Sequence, residues 1–219
     1  MLHHDVKGKR ITTTRRAPQH ARPVEHHDLG GVDGNSRLTG SLAAILLVLL
    51  ALEGVTILRV GSLLTPHVFI GVLLIPPVLV KVATTSWRFV KYYTGDPDYR
   101  RKGPPTTILR LLGPLVVVLT LVVLASGVAL VLLPGSMRSQ LLVIHQASFV
   151  LWFAVMAIHV LGHLVETAKL APLDWFRRTR RQVNGASVRQ WVLASSLTAG
   201  LIAAVVILPY ASGWWSQTY

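Results

Sequence analysis

Four histidines lie inside or at the edge of long apolar runs: His67 on one run, and His145, His159 and His163 on another. An ionisable side chain at membrane depth is expensive and by default marks a functional site. Imidazole offers a ring nitrogen to a metal, so two rings facing each other across neighbouring helices can supply both axial bonds of a b-type haem. The competing reading is a histidine near the interface that simply hydrogen-bonds a carbonyl or a lipid headgroup.

Positioning such residues requires a membrane bundle, and the composition points to one. Hydrophobic residues make up 52% of the 219 and charged residues 14%, and the mean hydropathy is +0.52. About 20 apolar residues cross a bilayer as a helix. Five stretches qualify: roughly Leu38 to Leu58, Pro66 to Trp87, Ile108 to Leu133, Gln140 to Thr167 and Arg189 to Leu208. An all-α fold is expected, with a five-span domain over 38–210, a four-helix haem-binding core and a short external tail over 211–219. Residues 1–37 mix Thr, Pro, Gly and basic residues without periodicity and read as a disordered, basic, cytoplasmic segment. Its His3, His4, His20, His26 and His27 have no spacing that builds a metal cage.

The formal charge of +13 alternates along the chain. Lys and Arg number seven before the first span, one in the next loop (Arg59), six from Arg88 to Arg110, one at Arg138, six from Lys169 to Arg189 and none after Leu208. Positive-inside bias then sets the N-terminus in the cytoplasm and Tyr219 outside, in a plasma (inner) membrane. Basic loops in this pattern are a topology signal and an anionic-lipid contact, and no nucleic-acid partner is expected. Trp87, Tyr92 and Tyr93 at one boundary, with Trp214 and Trp215 at another, read as interfacial belts.

Cysteine is absent, which removes thiolate-held iron–sulfur clusters and covalent haem attachment. There is no G-x-G-x-x-G, G-x-S-x-G or H-E-x-x-H, so electrons would come from a partner.

Depth and face sharpen the histidine reading. The second and fourth spans both run inward, so His67 and His145 sit at similar depth near the outer interface. On the fourth span, fourteen residues at about 100° each bring His159 to within about 40° of His145's face, and His163 falls back onto it. They lie about 21 Å and 27 Å deeper, which suits a second haem, a quinone site or an electron exit at the cytoplasmic side. The same offsets from His67 land on Lys81 and Thr85, neither an ordinary haem ligand. Lys81 is expected to snorkel inward, or else to pair with a haem propionate or quinone oxygen. Gly71, one turn below His67, would make room for a porphyrin, and Pro76-Pro77 would bend the span between His67 and Lys81. Glu53 reads equally as a contact to the outer site and as an interfacial group. Trp152, midway between His145 and His159, reads as an electron bridge or as packing.

With His67, His145 and His159, and with the run Trp87-Arg88-Phe89-Val90-Lys91-Tyr92-Tyr93-Thr94-Gly95, the chain resembles the bacterial membrane-bound b-type cytochromes of the cytochrome b561 and cytochrome b/b6-like group. The resemblance covers roughly Ser62 to Trp175, and Lys81 departs from it where a two-haem member would carry a fourth histidine. Together with the reading of depth and face, the candidate cofactor-binding residues are His67, His145, His159, His163, Gly71 and Lys81. His67 and His145 would be the axial ligands of one haem b, and His159 a possible second metal site. One haem is expected rather than two, with quinone, a redox protein or a catalytic subunit as partners. The chain would then be an electron-transfer subunit rather than a complete enzyme. Two other classes remain: an ion-relay transporter using Glu53, Lys81 and His159, and a cofactor-free accessory subunit.

Overall fold

In the computed structural model, residues 30–103, 107–133 and 135–211 are described. All their regular structure is helical: α1 (Gly31–Ile57), α2 (Val60–Tyr93), the short α3 (Pro97–Lys102), α4 (Thr107–Leu132), α5 (Arg138–Leu170), the single turn α6 (Arg177–Arg180) and α7 (Ala186–Ile207). Two 3-10 turns, Gly135–Met137 and Ala171–Asp174, flank α5. Among these residues, five helices are long and apolar enough to cross a membrane, as expected: α1, α2, α4, α5 with its flanking turns, and α7. Of the N-terminal segment expected to be disordered, residues 1–29 with their five histidines lie outside the described residues, as do the tail beyond Ala211 and the Trp214-Trp215 belt, whereas 31–37 are helical and form the start of α1.

α1 begins at Gly31, about two turns before the hydropathic boundary at Leu38. These turns are polar yet packed, because their side chains bond to neighbouring elements rather than to water. Asn35 donates to the Thr84 carbonyl, and Arg37 donates to the Thr179 carbonyl at 2.8 Å and to Asp174 at 3.4 Å. Asp174 also receives Arg189, with Nε at 2.5 Å from Oδ2 and Nη2 at 2.8 Å from Oδ1. All three side chains are buried. One carboxylate between two guanidiniums thus ties the start of α1 to the end of α5 and the start of α7. A buried charge is tolerated only when it is paired and hydrogen-bonded in this way.

α2 is the hub, packing extensively against both α1 and α7 and more lightly against α4, while α5 packs chiefly on α4. Backbone angles remain helical through Pro76 and Pro77, and the non-helical residue inside α2 is Leu63 (φ −114°, ψ 23°). Pro66 accounts for that break, since its ring crowds the preceding turn. The proline pair matters in another way. Pro77 has no N–H for the Leu73 carbonyl, and α7 covers that carbonyl at Gly200, where a Cβ would collide with the Leu73 oxygen. Outward-facing residues such as Leu58, Leu111, Trp191 and Val206 are exposed and apolar, as expected where lipid is the solvent.

The bundle therefore has two dissimilar ends. One carries Arg59 and Arg138; the other, the basic end, carries the arginines and lysines of 88–110 and 169–189. No extended contact joins α2 to α5, although both run from the first end to the second.

Candidate functional site

Across that gap His67 and His145 meet. Their ring centroids are 6.3 Å apart and their planes are inclined at 75°. Each ring is held from behind by the helix that packs against its own.

His67 sits just inside the start of α2, and the tight turn at Leu58-Arg59 folds the end of α1 against it. Glu53 and Thr56, three residues apart, share a face of α1. Glu53 Oε1 is 2.8 Å from His67 Nδ1 and Thr56 Oγ1 is 3.1 Å from it. A carboxylate behind Nδ1 favours a proton on that nitrogen, and in the neutral ring this leaves Nε2 as the nitrogen with a lone pair to offer. Gly71 faces the same carboxylate: a Cβ there would stand 3.4 Å from Glu53 Oε1, an ordinary contact distance.

His145 is anchored by α4 in the same sense. Its Nδ1 lies 3.2 Å from the Val123 carbonyl and 3.0 Å from Ser126 Oγ. A carbonyl also only accepts, so here again Nδ1 donates and Nε2 is left free. Gly127 completes the seat, since a Cβ at that position would lie 3.2 Å from His145 Cε1. Thr56, Ser126 and Gly127 were not anticipated from sequence. The available signal was a small polar pair, Ser126-Gly127, in an otherwise aliphatic span, and a threonine one helical turn after Glu53.

The arrangement suits an axial pair. Metal–nitrogen bonds of about 2 Å, plus roughly 1 Å from each nitrogen to its ring centroid, place two ligand rings about 6 Å apart. Metal-bound histidines almost always donate the other ring N–H to a carboxylate or carbonyl, and both rings do so here. Among the described residues no group of three or more His, Asp or Glu side chains could hold a metal by itself. Two imidazoles suffice only where a macrocycle supplies the remaining ligands.

Toward the basic end, His159 and His163 stack along α5 with centroids 4.8 Å apart, and His163 Nδ1 lies 3.4 Å from Glu166 Oε2. His159 Nδ1 is buried and has no hydrogen-bond partner among the described residues. Lys81 is within electrostatic reach of His159. Its Nζ donates to the Thr39 carbonyl at 3.3 Å, in a polar seam with Thr84 between α1 and α2. Trp152 donates to Thr120 on α4 at 2.8 Å and packs on Phe149, so it cements α4 to α5. Compared with protein-family models, with curated proteins and with solved structures, the chain matches none.

Proposed function

We propose that this protein is a membrane b-type cytochrome subunit in which His67 and His145 are the axial ligands of one haem b near the Arg59 end. The observation that carries the reading is the opposed pair of rings, 6.3 Å apart, each with Nδ1 committed to a neighbouring helix. One-electron transfer is the chemistry such a group supplies when bound. The chain's own part is to orient the rings, exclude water and set the local charge. Glu53 places a carboxylate behind one ligand, which favours positive charge on that side, whereas Ser126 and the Val123 carbonyl behind the other are neutral.

At the basic end, the buried Nδ1 of His159 and the ammonium of Lys81 are suited to the carbonyl oxygen of a quinone, which needs a hydrogen-bond donor and a nearby cation. A second haem there lacks a competent ligand opposite His159, because a protonated lysine engaged with Thr39 has no lone pair to give. Positive-inside bias would set the basic end in the cytoplasm, so the haem lies toward the outer face of a plasma membrane, where a redox protein or catalytic subunit could dock. An ion relay through Glu53, Lys81 and His159 is less favoured, since Glu53 is held on His67.

Optical spectroscopy tests this directly. Protein expressed with ample haem and reduced with dithionite should show the sharp α-band of low-spin b haem. A colourless, folded preparation would remove the proposal.

A further inference from the structure

The face of α5 that carries His159 continues toward the basic end. His163 and Glu166 follow at intervals of four and three residues. At about 100° per residue, all three lie within roughly 60° of one another. The rings of His159 and His163 have centroids 4.8 Å apart, and His163 Nδ1 lies 3.4 Å from Glu166 Oε2. Exposure rises along this line: His159 Nδ1 is buried, the His163 side chain is 31% exposed and that of Glu166 51%. Three groups that take up and release protons thus lead, over about 10 Å of helix, from a buried nitrogen to the open basic end.

Stability gives no reason for this arrangement. A surface His–Glu pair three residues apart adds little to a helix, and a buried ring nitrogen without a partner is a cost. The charged groups within electrostatic reach come from other helices. Lys81 of α2 is near His159 and Glu166, and Arg88 of α2 and Lys102 of α3 are near Glu166. A charged lysine or arginine has no lone pair, so the two imidazoles and the carboxylate are the proton acceptors of the cluster.

We infer that His159, His163 and Glu166 form a proton path between the quinone position at the basic end and the water beyond it, an inference that rests on the quinone reading above. Oxidising a quinol breaks its two O–H bonds and releases two electrons and two protons. The electrons pass singly to a one-electron acceptor, ferric haem in that reading, and the protons travel to water. A quinol hydroxyl gives its proton to His159 Nδ1, the ring releases the proton of its Nε2 toward His163, and Glu166 passes it out.

The test uses the full chain in lipid nanodiscs, with two readouts. NMR of isotopically labelled histidine measures exchange of the His159 ring proton with water, and stopped-flow spectroscopy follows reduction of the loaded haem by duroquinol. His163→Leu and Glu166→Gln should each slow both by about tenfold or more, lowering kcat without raising KM for the quinol and leaving dithionite reduction unchanged. Glu166→Asp, which keeps a carboxylate, should recover most of the rate. Glu166 is exposed, so its variants give the answer even where His163→Leu fails to fold. Unchanged exchange or unchanged quinol reduction in the Glu166→Gln chain would overturn the path and leave the quinone reading standing. A wild type that dithionite reduces but duroquinol does not would remove the quinone reading, and the path with it.

Discussion

The two ends of α5 carry histidines on one face, yet the structure treats them differently. At the Arg59 end, His145 has a facing ring, an anchored Nδ1 and a glycine seat. At the basic end, His159 has no facing imidazole among the described residues, its Nδ1 has no partner among them, and the ring it contacts is His163 on its own helix. Helical periodicity alone makes these positions equivalent. What separates them is the neighbouring helices: α1 and α4 supply acceptors behind His67 and His145, but nothing equivalent stands behind His159. What separates the two positions is thus less their place on a face than what holds the second ring nitrogen.

The largest expected effect breaks the comparison outright. His67→Ala or His145→Ala should abolish the low-spin haem spectrum, whereas His159→Ala should leave it largely intact and impair reduction by a quinol analogue. Equal spectral loss in all three variants would make the two ends alike.

Next is the network that closes the basic end. Asp174→Ala leaves Arg37 and Arg189 buried without their carboxylate, at a cost of about 3–5 kcal/mol. Thermal unfolding should show a marked drop in stability, and a change within error would mean that this end is open to water. Glu53→Gln acts only at the other end. Removing a negative charge behind a proposed haem ligand should raise the midpoint potential by an amount on the order of tens of millivolts, with the α-band retained. A lowered or unchanged potential in redox titration would detach Glu53 from the site. The smallest effect is that of Ser126→Ala. It removes one of two acceptors behind His145 and should cost about 1 kcal/mol in stability without loss of haem.

Much of this was legible in the sequence. The five apolar runs locate the five long helices because hydropathy over about 20 residues reports the solvent that a helix faces. The opposed pair was also legible, since counting residues from the same interface gives depth. Other features were not. Arg37 and Asn35 read as part of a polar tail because hydropathy cannot distinguish a polar group facing water from one bonded to a neighbouring helix. The approach of Glu53 to Gly71 from another helix was equally invisible. The acceptor of Lys81, the Thr39 carbonyl, was not visible because it is a backbone group to which no side-chain pattern points. Each miss concerns a contact between helices, which linear spacing does not encode.

The most direct test of the account is the haem-to-protein ratio of the purified chain, set beside the spectra of the His145→Ala and His159→Ala variants. One haem b per chain is expected, lost with His145 and kept without His159. A ratio near two with half the absorbance depending on His159 would contradict the difference between the two ends, and a ratio of zero in folded protein grown with ample haem would contradict the cytochrome reading itself.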